Sequence, residues 1–275
     1  MFPILNTMPK MLPIAKIIRE TSHVKTFVFR HQLGAKPGQF INIWVPRVDE
    51  KPMSVAMSND VEFWLTIFAV GGMTKRLHEM KVGDLVGIRG PFGTSFEYES
   101  GDHLVLLGGG YGAAPLYFLA SEAVKKKCTI DFIVGARGKE HLLFLDRVKK
   151  LGKNVKLHIA TDDGSVGTKG YNTQILESVL SSVKPGNKKM TRVFAVGPEL
   201  MMKRASDMCF AHKISCQVSI ERYMKCGFGV CGNCCVDDSG ERMCMEGPVV
   251  DHLRARKMKD FGAYHRDKVG RKITF

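Results

Sequence analysis

No basic stretch precedes the short apolar opening Met1-Phe2-Pro3-Ile4-Leu5, and no small-residue cleavage site follows it. A secretory leader is therefore not expected, and the chain should stay in the cytoplasm. Cysteine is too sparse for a disulfide scaffold, at 8 in 275 residues, so a stapled secreted fold is not expected either. No tract interleaves aromatic residues with Lys and Arg. The net charge of +14 is spread along the whole chain, which points to a basic solvated surface that attracts anionic cofactors rather than to a nucleic-acid interface. One long run, Leu104 to Ser121, has no charge and is long enough to be weighed as a membrane span. Its centre is Gly108-Gly109-Gly110-Tyr111-Gly112 with Pro115 close behind, which suits a strand, a tight turn and a helix start, and no span is expected. No acid–base pair or nucleophile triad is visible, so no catalytic side chain is assigned.

What the chain does have is concentrated near its C-terminus. Cys226, Cys231 and Cys234 stand in Lys-Cys-Gly-Phe-Gly-Val-Cys-Gly-Asn-Cys, and Cys244 follows. C-x4-C-x2-C with a more distant fourth cysteine is the spacing of plant-type [2Fe–2S] ligands. Gly227, Gly229 and Gly232 permit the tight curl that delivers three thiolates from one loop, with N–H groups free to face sulfur. A structural zinc site is the alternative, but four-cysteine zinc modules usually pair two C-x2-C knuckles and this chain has one. Cys235 is read as a bystander, since adjacent side chains rarely converge on one metal. Cys128, Cys209 and Cys216 lie in apolar stretches and are read as packed thiols. Thiolates committed to a cluster imply a reducing compartment.

Hydrophobic periodicity divides the remainder. From Met11 to Arg89, short strands at 24–29, 39–45, 53–57, 63–70 and 85–88 are punctuated by Pro37-Gly38 and Gly83-Asp84, which predicts an antiparallel β-barrel. After Gly101, strands at 103–107, 129–134, 155–160, 192–196 and 214–220 alternate with helices at 113–126, 142–150, 172–183 and 199–212, which predicts a doubly wound parallel sheet. The cysteine loop forms a small module. The tail from Asp251 to Phe275 is rich in Lys and Arg and is expected as a solvated extension, with a docking arm for a partner as the alternative. The fold class is thus multidomain α+β, divided at 1–98, 99–220, 221–250 and 251–275.

Within the α/β part, Gly108, Gly109, Gly110, Gly112 and Pro115 join the first strand to the first helix, where unpaired N–H groups and the positive end of the helix dipole suit a pyrophosphate. Gly197 and Pro198 turn a later strand into a helix, and two such turns can face one crevice. Asp162 and Asp163 follow the third strand, where an adenosine ribose would lie, and would repel a 2′-phosphate. Arg137 and Lys139 pull the other way; the balance favours NAD(H). In the barrel part, Lys51-Pro52-Met53-Ser54 starts a strand with a cation, a rigid proline and a hydroxyl. Gly71-Gly72-Met73-Thr74 opens a short helix at 75–80 that can hold a phosphate, and Gly90-Pro91-Phe92-Gly93 closes the barrel.

In this order the motifs resemble the ferredoxin-reductase flavoprotein superfamily. The appended cysteine loop narrows the resemblance, over roughly Met11 to Val249, to the electron-transfer subunits of two-subunit, NAD-linked dihydroorotate dehydrogenases of class 1B. The resemblance implies FAD contacted by Lys51, Pro52, Met53 and Ser54, with Lys51 in place of the usual arginine on the diphosphate. It also implies Thr66, Ile67 and Phe68 along the flavin, and Met73 with Thr74 in place of a Gly-Thr pair at the diphosphate. Val196 stands where relatives often carry cysteine. Residues 1–98 then form an FAD domain, 99–220 an NAD domain and 221–250 the [2Fe–2S] module. A partner subunit holding FMN is implied, which oxidises dihydroorotate to orotate in pyrimidine biosynthesis within a hetero-oligomer such as a heterotetramer. Electrons would run from FMN through [2Fe–2S] and FAD to NAD+. Small subunits of NADH-dependent ferredoxin:NADP+ oxidoreductase, sulfide dehydrogenase and some hydrogenases share this layout and stay open as alternatives. So does, from another class, a zinc-containing nucleic-acid-binding protein.

Overall fold

The computed structural model describes residues 8–275, so the expectation about a leader at Met1 to Leu5 lies outside the described residues. Strands β1 (Lys10–Pro13), β2 (Lys16–Arg19), β3 (Val24–Phe29), β4 (Phe40–Val45), β5 (Asp49–Ser58), β6 (Phe63–Phe68) and β7 (Leu85–Phe92) form one antiparallel sheet in the order β1-β7-β4-β5-β6-β3-β2. The two end strands are halves of one bent run. Ile14 N–H donates to Asp84 O and Gly83 N–H to Ile14 O, while the next residue, Ala15, donates its N–H to Val28 O. That run therefore pairs with β7 on one side and β3 on the other, and the sheet closes into the expected barrel. The run itself was not among the expected strands. Pro13 and Ala15 interrupt its pattern, and the apolar signal is weak because only Leu12 and Ile14 are fully buried.

Alternation fills the barrel: Ile41, Ile43 and Val45 of β4 point inward with Phe27, Phe29, Phe63 and Leu65. The rings of Phe29 and Phe63 stack at 5.0 Å. Helix α1 (Gly72–Glu79) starts three residues before its expected position and plugs one end with Met73 and Leu77.

The second sheet contains β8 (His103–Gly109), β9 (Thr129–Ala136), β10 (Val155–Thr161), β11 (Thr168–Lys169), β12 (Thr191–Val196), β13 (Ser215–Ser219) and β14 (Val249–Asp251). Their order is β11-β10-β9-β8-β12-β13-β14, parallel except for β14. From β8 the chain winds outward one way through β9 and β10, then crosses back to place β12 on the other side of β8. The polypeptide diverges at the carboxyl ends of β8 and β12, which is where open α/β sheets bind ligands.

Helix α2 (Ala113–Lys125) covers one face with Leu104, Leu106, Phe132 and Phe194, and its Phe118 reaches into the barrel core. On the other face α4 (Asn172–Ser182) and α5 (Glu199–His212) pack over Val105, Leu107, Ile133 and Val193. The helix expected at 142–150 shrinks to α3 (Leu145–Lys149), because a 3-10 turn at Lys139–His141 and a left-handed Phe144 precede it. The uncharged run 104–121 divides into β8, its turn and α2. Among the described residues no helix is long and apolar enough to cross a membrane.

The cysteine loop leaves β13 and returns as β14, with Ser219 paired to Val249. The tail expectation needs correction. Helix α6 (His252–Ala255) and the turn after it bury His252, Ala255, Met258, Asp260 and Phe261 in the second domain's core, so a solvated extension does not describe this stretch. Apolar residues spaced among the charges supply the buried face. Beyond it, β15 (Tyr264–Arg266) and β16 (Lys272–Thr274) pair as a hairpin. That hairpin grips the cysteine loop: Asp237 accepts from Tyr264 Oη at 2.6 Å and from Arg266 Nε at 2.8 Å.

Away from these ends, Asp131 ties three strands together. His103 Nε2 and His158 Nε2 lie 2.8 and 2.6 Å from its two carboxylate oxygens. Burial works to raise this carboxyl, but the two imidazole hydrogen bonds outweigh it and hold the group well below the usual carboxylate range. Asp131→Asn is expected to cost roughly 1–3 kcal/mol in urea unfolding at pH 7. Because the folded carboxyl ionises below its unfolded value of about 3.9, this contribution is complete above about pH 4 and is lost as acid is added below it. Parent and variant should converge in that direction.

Candidate functional site

At the carboxyl ends of β8 and β12 lies a cleft of about 630 Å3. Two glycine turns build its floor by touching backbone to backbone. A Cβ on Gly112 would sit 2.1 Å from Val196 O, and one on Gly197, at φ +151°, would sit 2.9 Å from Gly109. Only glycine permits this approach, which leaves Gly109, Gly110 and Tyr111, just ahead of α2, at the cleft. Asn172, missed by the sequence analysis, braces the turn from α4 through Nδ2, which donates to Gly108 O at 3.0 Å.

Gly109, Gly110 and Pro198 line the cleft with Arg137 and Asp162. Gly108 lies behind them, fully buried. Asp163 and Lys139 are not among the lining residues. The Asp163 carboxylate accepts Ser165 N–H at 2.9 Å, and hydrogen bonds from Ser165 hold it below its ordinary range. Lys139 donates its backbone N–H to Ser165 Oγ. Of the four charged residues weighed here, Asp162 and Arg137 therefore border the cleft, with Arg204 of α5 as a further cation.

A second cleft, of about 330 Å3, lies between barrel and parallel sheet. Pro52, Met53 and Ser54 of β5, Thr66, Ile67 and Phe68 of β6, and Thr74 line one side; Gly112, Pro115 and Val196 line the other. Its third wall is the segment Ser219 to Arg222, with Met224 and Pro248. Two expected residues stand apart. Lys51 Nζ is 2.5 Å from Asp49 and 5.6 Å from the centre of the Tyr223 ring, and it does not border the cleft. Met73 turns its side chain into the barrel core, leaving only its N–H at the helix start. Thr74 Oγ1 accepts the N–H groups of Val70 and Gly71, which fixes that start.

Tyr111 borders both clefts, and its hydroxyl donates to Glu221 at 3.4 Å. Desolvation and the Glu221 charge push the phenol up to about 12, and desolvation likewise raises Glu221. Arg222 is buried and pairs with Glu199 at 2.7 Å and Asp260 at 3.1 Å, joining the start of α5 to the tail. Nothing in the local sequence marks Glu221 and Arg222 beyond their place just ahead of the cysteines. Tyr111 was visible inside the glycine turn.

The cysteine loop has no regular structure between β13 and β14. Within it the ionisation of Cys226 responds to Cys231 and that of Cys234 to Cys244, and among the described residues no three metal-ligand side chains converge on one point. Backbone N–H groups face the sulfurs: Gly229 donates to Cys244 Sγ at 3.2 Å and Val230 to Cys226 Sγ at 3.4 Å. Burial would raise Cys226, but N–H groups of Cys231, Phe228 and Val230 outweigh it and bring the thiol to about 7. Cys234 falls to about 6, chiefly through the hydrogen bond from Cys244, which is pushed up in turn. Such donors stabilise thiolate sulfur, as iron ligation requires. Cys235 has its thiol raised by burial, while Cys128, Cys209 and Cys216 are buried as expected.

Three family descriptions match the chain in succession. The FAD-binding domain of oxidoreductases covers residues 12–98, the NAD-binding domain of oxidoreductases 106–207, and the iron-sulfur cluster binding domain of dihydroorotate dehydrogenase B 221–254. A probable electron transfer subunit of dihydroorotate dehydrogenase B (NAD(+)) from Methanocaldococcus jannaschii is 43% identical over 267 residues, covering 97% of this chain and 99% of the relative. The protein of the same description from Methanothermobacter thermautotrophicus is 42% identical over 271 residues, covering 97% and 98%. Among solved structures, one from the NADH-dependent reduced ferredoxin-NADP oxidoreductase superposes with a TM-score of 0.78 at 29% identity, covering 89% of each chain.

Individual replacement of Cys226, Cys231, Cys234 or Cys244 by Ala should abolish or damage the cluster, measured as iron content and as the electron paramagnetic resonance signal after reduction. Cys235→Ala and Cys216→Ala should keep both. A full signal in the Cys244 variant and its loss in the Cys235 variant would reassign the fourth ligand.

Proposed function

Because the chain belongs to the family of electron-transfer subunits of dihydroorotate dehydrogenase B, we propose that its first cleft takes NAD(H), its second FAD and its cysteine loop a [2Fe–2S] cluster. The observation that carries this reading is connectivity. The segment that walls the second cleft, Ser219 to Met224, runs directly into Cys226, so the groups held by cleft and loop would be neighbours along one chain. When bound, the flavin exchanges hydride for single electrons and the cluster carries one electron at a time.

The protein's own part is to hold and align. Gly109 and Gly110, just ahead of α2, present their backbone to the pyrophosphate of NAD(H), with Gly108 steadied by Asn172, while Gly112 opens the helix on the side of the second cleft. Gly197 and Pro198 border the nicotinamide side, and Asp162 accepts from the ribose hydroxyls. Pro52, Met53, Ser54, Thr66, Ile67, Phe68 and Pro115 enclose the flavin. Its diphosphate falls to the N–H groups of Met73 and Thr74 and to Lys51, which must leave Asp49 to reach it. A lysine offers a point charge where arginine would offer a fork, and this contact is the looser for it. Cys226, Cys231, Cys234 and Cys244 hold the irons.

On this reading residues 1–98, 99–220 and 221–250 are the FAD, NAD and cluster units, and 251–275 braces the third. The partner is a catalytic subunit holding FMN and oxidising dihydroorotate, joined in a hetero-oligomer such as a heterotetramer. The thiolate ligands suit a reducing compartment, which we take to be the cytoplasm. The similarity to the bifurcating oxidoreductase structure supports a second reading, a small subunit feeding a ferredoxin-linked partner. The higher identity and fuller coverage of the dihydroorotate dehydrogenase relatives favour the first.

Protein purified anaerobically should release FAD on denaturation and contain about two irons and two acid-labile sulfides per chain. Stoichiometric zinc without flavin would end this reading. Steady-state reduction of a dye should favour NADH over NADPH, and Asp162→Asn should narrow that preference by roughly tenfold, the worth of a hydrogen bond to a charged group. The reverse preference in the parent protein would assign the ribose end to Arg137.

A further inference from the structure

Asn42 is a polar residue at the centre of a barrel strand, and its side chain is fully buried. Its neighbours Ile41 and Ile43 fill the barrel, so Asn42 faces outward with Phe40, two residues away on the same face. There Nδ2 donates to the carbonyl of Lys225 at 2.7 Å and to that of Cys226 at 3.4 Å. Among the described residues its Oδ1 has no partner. A buried acceptor left unpaired is a cost that an apolar side chain of the same size would not carry, so what the amide contributes is its donor end.

The cysteine loop is pressed tightly against the barrel at this point. A Cβ on Gly227 would lie 2.8 Å from the Phe92 ring and 3.3 Å from Asn42 Nδ2. Arg89, paired with Glu50, covers Phe228 at 5.6 Å, and Thr94 Oγ1 donates to Val249 O at 2.7 Å. Asn42 differs from these contacts in reaching the backbone of a cluster cysteine, while Phe40 on the same face borders the flavin cleft. One face of β4 thus touches both redox sites.

We propose that Asn42 is a positioning residue for electron transfer: by holding the Lys225 and Cys226 carbonyls on the strand face that also presents Phe40, it sets the cluster's distance and orientation relative to the flavin. The inference rests on the assignment of FAD and cluster above, and the experiment separates the two. FAD and iron content of the parent protein, measured first, test the assignment. Asn42→Leu keeps the volume and removes the donor; Asn42→Ser keeps polarity but is too short to reach Lys225. In the full chain loaded with both groups, both variants should retain FAD, iron and NADH–dye turnover. Cluster reduction by NADH, followed by stopped-flow absorbance, should slow by about tenfold or more, with altered g values in the reduced cluster's paramagnetic resonance spectrum. Unchanged rate and spectrum in Asn42→Leu would overturn the proposal. Loss of FAD from both variants would overturn it too, by assigning Asn42 to barrel stability, and so would loss of iron with FAD retained, by making the amide a requirement for cluster assembly rather than placement.

Discussion

Ser219 pairs with Val249, and Ile220 donates its N–H to Pro248 O, so the chain leaves the parallel sheet for the cysteine loop and returns to it at the same point. Everything between is anchored at both ends to one sheet edge. The outgoing side, Ser219 to Met224, becomes a wall of the second cleft; the returning side places Gly247 and Pro248 against Gly93 of the barrel, where no added Cβ would fit. With an open base, the loop would be a flexible appendage whose thiols could not keep a set position. Backbone pairing is well suited to this task, because its register is discrete and a slip by one residue would exchange the faces of every side chain in β14.

Three bodies enclose the second cleft, and each is fixed to the others by contacts outside it. Phe118 of α2 enters the barrel core, and the cluster loop's Cys234, Met243 and Cys244 join the core that also contains Val218 and Phe261. Arg222 adds a buried ionic tie between α5 and the tail. Such a group adds little net stability compared with apolar packing, yet losing one partner leaves a charge stranded in the interior. Its effect is to hold the α5 end and the cluster-side segment in one relative position. The tail extends this bracing through Asp237, so a stretch rich in basic residues serves as internal scaffold.

The chain's positive charge takes on meaning at this scale. Arg137 and Arg204 line the first cleft with Asp162 as a carboxylate beside them, a field suited to an anionic ligand. At the cysteine loop the favourable potential comes from a different source, the backbone N–H groups aimed at sulfur. Fixed dipoles need no rearrangement when charge on the bound group changes.

The sequence by itself determined most of the element order of both large domains, the two glycine turns and the spacing of the four cysteines proposed as ligands. Each rests on a local rule: strand alternation, helical period, or a spacing that the coordination chemistry restricts. It also carried the family resemblance, because motif order survives where single motifs are ambiguous. Tertiary structure alone decided what depends on residues distant in the chain. The bent first strand closes the barrel because its two halves pair with opposite ends of a sheet, a relation invisible to periodicity. Met73 turned inward and Lys51 found Asp49, since packing and a nearby carboxylate compete for side chains that motifs assign elsewhere. Asp162 was separated from Asp163 by one turn's hydrogen bonds. The tail packed because Met258 and Phe261 found a core formed by residues far upstream, and Asn42 met Cys226 only when barrel and loop were brought together. Local chemistry is written in neighbouring residues, whereas the alignment of one site with another arises from contacts that the linear order does not display.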